Sequence, residues 1–189
     1  MNAYDDGDNV VLDVVRHPRM FATDHHGPNE GQPSLWRWTI DRVAGKVREE
    51  QLDDLAVEFP RVDERLVGRP HRYGWAAGLG RPDADQQPPS PDVEWDTGSL
   101  VRYDTRTGGR EVMRFGPGRA AGELVFVPRS PHAAEDDGWY LTLVYDRTTD
   151  RSELVVIDAG DLSADPVARV HLPARVPLGF HGNWIPSSS

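Results

Sequence analysis

Seven histidines (residues 17, 25, 26, 71, 132, 171 and 181) and no cysteine limit the metal chemistry open to this 189-residue chain to imidazole and carboxylate donors. Disulfides and thiolate sites are excluded. His181 is the strongest single candidate. It lies in VPLGFHGNW (residues 176–184), where glycines 179 and 182 let backbone pass close to a site, and Leu178, Phe180 and Trp184 are expected to shelter the ring. Two carboxylates stand out. Glu58 sits between apolar residues in VEFPRV (57–62), and Glu135 sits in AEDDG (134–138) ahead of a strong strand. On their own, the first reads as a strand-edge carboxylate and the second as a turn carboxylate. Asp24, His25 and His26 form a cluster, but the surrounding Gly, Pro and Asn make a solvated loop the better reading. HExxH, P-loop, GxSxG and GxGxxG patterns are absent.

The rest of the composition bounds what could hold such residues. A net charge of −10 repels polyanions, so no nucleic acid partner is expected. Lys46 is the only lysine, as in chains from GC-rich genomes. No signal peptide or apolar run of membrane-spanning length is present, and a cytoplasmic location is the default expectation. With 18 Gly and 16 Pro, turns should be frequent and helices few.

Three segments resemble one another. They begin at Leu35, Leu100 and Leu141, and each reads as an alternating strand with aromatics, an Asp, a polar turn and a second strand. Repeated hairpins predict an all-β propeller-type array, with an irregular sandwich as the alternative. Further strands are predicted at 10–15, 72–76, 123–127 and 167–172, and one helical turn at Asp161–Ser163. Residues 23–33 and 80–91 read as loops, and 185–189 as a disordered tail.

Several motifs resemble those of the carotenoid cleavage oxygenases, in family order over nearly all of residues 1–189. They are NAYDDGD (2–8), EFPRV (58–62), GRPHRYGW (68–75), FVPRSP (126–131), AEDDGWYL (134–141), SELVVIDA (152–159) and PARVPLGFHGNW (173–184). The resemblance implies the C-terminal blades of a seven-bladed β-propeller. It further implies an enzyme that uses Fe(2+), held by four histidines, to add O2 across a conjugated C=C bond of a carotenoid, apocarotenoid or stilbene. Such a lipophilic polyene or stilbene substrate brings with it the expectation of transient membrane contact.

Residue by residue, the resemblance makes His181 the fourth iron ligand and makes Glu135 and Glu58 carboxylates that accept the outer N–H of ligand imidazoles. Glu135 is expected to pair with His181. Glu58 is expected to pair with the third ligand, which in the family lies a few residues before the NAYDDGD motif, so that three of the four ligands fall before Met1 and Glu58 is left without an imidazole. The isolated chain is then expected to be inactive. Three explanations stand open: a gene-model fragment, a truncated product, or half of a split enzyme completed by an N-terminal partner chain. A non-catalytic propeller-derived interaction module is the alternative of a different class.

Overall fold

The computed structural model describes residues 1–23, 25, 30–79, 98–177, 179 and 181–186. The loop expected at 80–91, Asp24 and His26 of the acidic-histidine cluster, Leu178, Phe180 and tail residues 187–189 lie outside them. Thirteen strands form three antiparallel sheets among the described residues. The first sheet runs β1 (Asn2–Asp6), β2 (Asn9–Arg16), β3 (Ser34–Asp41) and β4 (Lys46–Gln51). The second runs β5 (Val57–Val62), β6 (Tyr73–Gly78), β7 (Ser99–Asp104) and β8 (Gly109–Arg114). The third runs β10 (Val125–Pro128), β11 (Gly138–Asp146), β12 (Arg151–Asp158) and β13 (Ala168–His171), with β9 (Arg119–Ala121) also pairing with β11. Each is a meander in sequence order, as in successive propeller blades. A 3₁₀ turn, Glu64–Leu66, follows β5. The helical turn expected at Asp161–Ser163 is instead a tight turn in which Asp161 accepts the Ser163 amide at 2.9 Å. No described helix is long and apolar enough to cross a membrane.

The three repeated segments become β3–β4, β7–β8 and β11–β12. Their turns share one construction. Asp41, Asp104 and Asp146 each end a strand and accept an amide two residues on, at 2.8–2.9 Å. Four residues after each Asp, the chain takes positive φ at Gly45, Gly108 and Asp150. The turn chemistry therefore dictates the hairpin, with glycine serving twice where the backbone is left-handed. The unequal spacing of the repeats also has a cause. The first two hairpins are the third and fourth strands of their sheets, whereas the last is the second and third.

The cores lie between sheets. Strand β7 alternates: Leu100 enters a cluster with Trp75, Leu124, Phe126 and Tyr140 toward the third sheet, and Val101 enters another with Leu35, Val57 and Ala76 toward the first. The middle sheet is thus buried on both faces, which explains the unbroken apolar run of β6. The last strands, β4 and β13, are exposed throughout.

Polar groups also tie the sheets together. Buried Asp13 takes a two-pronged ion pair from Arg37 at 2.7 and 2.8 Å, and the His71 ring stands 3.4 Å away. Asn2 links the same ring to the chain after β5, donating to His71 Nδ1 at 3.1 Å and to the Arg69 carbonyl at 2.9 Å. Burial pushes the His71 pKa down, with Asp13 opposing. His71 is therefore a neutral core group joining the first two sheets.

Candidate functional site

Strand β5 carries Glu58 into the site through a local irregularity. Glu58 faces Ala77 and Arg61 faces Trp75, so Phe59 and Pro60 together stand opposite Ala76. Proline has no N–H for the ladder, and the strand bulges where pairing is lost. Phe59 takes φ +53° there, a conformation that costs on the order of 1–3 kcal/mol. Its amide turns from the ladder to Glu58 Oε2 at 2.9 Å. Glu58 Oε1 meets Nε2 of His17, which follows β2. Glu58 therefore does have an imidazole partner in this chain, contrary to the sequence expectation. His17 carried no signal beyond its residue type, because the contact spans two sheets.

His181 lies after β13, in a segment without strand pairing. Its Nδ1 is 3.1 Å from Oε1 of Glu123, a carboxylate only 5% exposed, just before β10. Glu123 Oε2 accepts the Gly182 amide at 2.9 Å. The Phe59 ring stands edge-on to the imidazole, with centroids 6.2 Å apart. No described group is bonded to Nε2. The expectation of a sheltered ring is corrected: the His181 side chain is 75% exposed and Trp184 is exposed as well. A cavity of about 390 Å³ opens beside it, lined by Val125, Leu141, Leu143, Leu154, Val176 and Trp184 among others.

The expected pairing of His181 with Glu135 is also corrected. Glu135 accepts the Arg72 amide at 2.8 Å and the Tyr73 amide at 3.0 Å, where β6 begins. Two backbone amides hold this carboxylate, and it joins the third sheet to the second. Glu135→Ala should lower unfolding free energy by about 1–3 kcal/mol in urea titration, since two amides lose their acceptor, while leaving the His181 environment unchanged. The residue that sequence reasoning missed is Glu123. The signal for it was positional: Glu58 lies in β5, the edge strand of the second sheet, and Glu123 lies two residues ahead of β10, an edge strand of the third. That equivalence appears only once the sheets are phased.

The remaining histidines are placed apart from this pair. His71 is in the core, and His25, His132 and His171 are exposed. Among the described residues no group of three or more His, Asp or Glu is arranged to hold a metal ion. What the site offers is one imidazole with Nδ1 tied to a carboxylate and Nε2 open, plus a second carboxylate, Glu58, across Phe59. An imidazole so held presents a lone pair in a fixed direction, which fits one donor of a metal centre.

Comparison with known proteins finds relatives over the whole length of the chain. The chain is 41% identical to a carotenoid cleavage oxygenase of Mycobacterium tuberculosis over 199 residues, covering all of this chain and 37% of that protein. It is 33% identical to an apocarotenoid-15,15'-oxygenase of Synechocystis, covering 97% of this chain and 37% of the relative. It is 34% identical to a lignostilbene-alpha,beta-dioxygenase isozyme III of Sphingomonas paucimobilis, covering 100% and 40%. The crystal structure of cobalt-substituted Synechocystis ACO superposes with a TM-score of 0.84 at 31% identity, over 98% of this chain and 38% of that one. The fold is accordingly part of a β-propeller, and the chain spans about 37% of the length of the first two relatives. The model of the family described as RPE65, retinal pigment epithelial membrane protein, matches residues 1–186, and the chain belongs to that family.

Proposed function

We propose that residues 1–189 form the C-terminal portion of an Fe(II)-dependent dioxygenase that cleaves a conjugated C=C bond of a carotenoid, apocarotenoid or stilbene into two carbonyl products. The observation that carries the proposal is the His181–Glu123 pair, with its open Nε2, in a chain whose relatives are named as oxygenases of these compounds. The name of the cobalt-substituted relative supports a metal centre. In the overall reaction both atoms of O2 end in the two carbonyls and no external reductant is needed. Iron, when bound, supplies the binding and activation of O2.

The chain's own residues do the holding. Glu123 accepts the Nδ1 proton of His181, fixing the tautomer that leaves Nε2 as donor. Phe59 limits ring rotation by its edge contact. Glu58, occupied by His17 and the Phe59 amide, has acceptor capacity left for a second ligand imidazole, since an ionised carboxylate offers about four lone-pair positions. The proposal assigns the other iron donors to polypeptide outside residues 1–189. Isolated imidazoles hold Fe(II) weakly, and affinity comes from donors preorganised together.

The test uses the full-length enzyme, loaded with Fe(II) and given an apocarotenoid or a stilbene under ¹⁸O2. Mass spectrometry should find label in both carbonyl products, and His181→Ala should lose iron and turnover together. Full iron occupancy and undiminished cleavage in His181→Ala would overturn the reading.

A further inference from the structure

The described residues of the segment carrying His181 belong to no β-ladder, so their position depends on contacts of other kinds, several of them polar. Glu123 takes two of them, His181 Nδ1 and the Gly182 amide. The others come from the stretch just past the β5 bulge. Arg61 Nη1 donates to the Gly182 carbonyl at 3.0 Å and lies 2.9 Å from Glu123 Oε2. Its Nη2 donates to Glu64 Oε1 at 2.5 Å, and Glu64 Oε2 accepts from Asn183 Nδ2 at 3.0 Å. Three consecutive residues, 181 to 183, are thus gripped by one guanidinium and the two carboxylates it joins.

We infer that Arg61 is a positioning residue for His181, fixing both the place of the ring and which nitrogen carries its proton. The inference rests on reading His181 as a metal ligand, although its first test does not.

The physical case has three parts. Glu123 is almost fully enclosed, and a carboxylate removed from water is costly without a positive partner. Arg61, 18% exposed, supplies that charge. Second, every group at Glu123 is then a donor: an arginine N–H, an amide N–H and the His181 ring. Nδ1 must carry the proton and Nε2 the lone pair. Third, the planar fork of a guanidinium spans Glu123, Glu64 and a carbonyl at once, whereas an ammonium on a lysine stem is a point charge. By sharing the Glu123 charge, Arg61 also moderates how strongly the carboxylate raises the donor strength of the ring.

The experiment compares wild type with Arg61→Met, which keeps the length of the stem, and Arg61→Lys, which keeps the charge. Two-bond ¹H–¹⁵N spectra of the 189-residue chain, at a pH where imidazole is neutral, should show His181 as a single Nδ1–H tautomer in wild type. A tautomer mixture is expected in Arg61→Met and a smaller admixture in Arg61→Lys. In the full-length enzyme, Co(II) titration should show affinity reduced about tenfold by Arg61→Met. Should Arg61→Met fail to fold, Arg61→Lys carries both readings. An unchanged tautomer in the folded variants overturns the inference whatever His181→Ala does to iron binding. A shifted tautomer combined with full metal affinity in His181→Ala supports the inference and removes the ligand reading instead.

Discussion

Glu123→Ala is expected to weaken metal binding by the full-length enzyme about 10- to 100-fold, the usual cost of removing the carboxylate behind a ligand imidazole. The substitution takes away the acceptor of the His181 Nδ1 proton, the acceptor of the Gly182 amide and the counter-charge of Arg61 at one stroke. The ring then turns freely on an exposed segment, and either nitrogen can hold the proton. Glu123→Gln should lie between, because the amide oxygen still accepts one bond but the charge is gone. Metal titration by calorimetry measures the effect, with Glu135→Ala as comparison. Equal losses in Glu123→Ala and Glu135→Ala would return Glu135 to the role that sequence motifs suggested and remove it from Glu123.

Trp75→Ala should lower the unfolding free energy by about 3–5 kcal/mol, the typical cost of truncating a buried tryptophan. The indole is almost completely enclosed, with ring centroids 5.6 Å from Phe126 and 4.8 Å from Tyr140 across the interface between the second and third sheets. Its Nε1 donates to the Leu124 carbonyl at 3.1 Å. Truncation therefore leaves a cavity and a buried carbonyl without its donor. Leu124 adjoins Glu123, so the same change should loosen the backbone that holds the site. Trp75→Phe keeps most of the packing and should cost less. Urea unfolding followed by circular dichroism decides the matter, and a loss under 1 kcal/mol for Trp75→Ala would show that the two sheets do not depend on this ring.

The hairpins were legible in the sequence because each is a local event. An Asp that folds back on its own amides, a left-handed position four residues on and alternating strands on either side need nothing from the rest of the chain. Strands β1 and β9, which passed unread, and β5, read only through Glu58 as a strand-edge carboxylate, lack that local support. Strand β1 is rich in aspartate, β5 contains Pro60, and β9 has only three residues. Each forms because a neighbouring strand offers it a ladder. The site followed the same division. His181 stands out through its glycine and apolar surroundings, whereas the pairing with Glu135 is what the family resemblance implies. The actual partner, Glu123, is 58 residues from His181. Contacts of that kind are set by how sheets stack, and a linear pattern carries little trace of them.

The charged final strands have a consequence for how this molecule meets its own copies. A foreign β-strand trying to dock along β4 would find Lys46, Arg48, Glu49 and Glu50 at the rim, with Glu49 and Glu50 already engaged by Arg16 and Arg48. Bringing a second backbone alongside would strip water from these groups with no compensating partner. Stacking of molecules into fibres through this border is thereby discouraged.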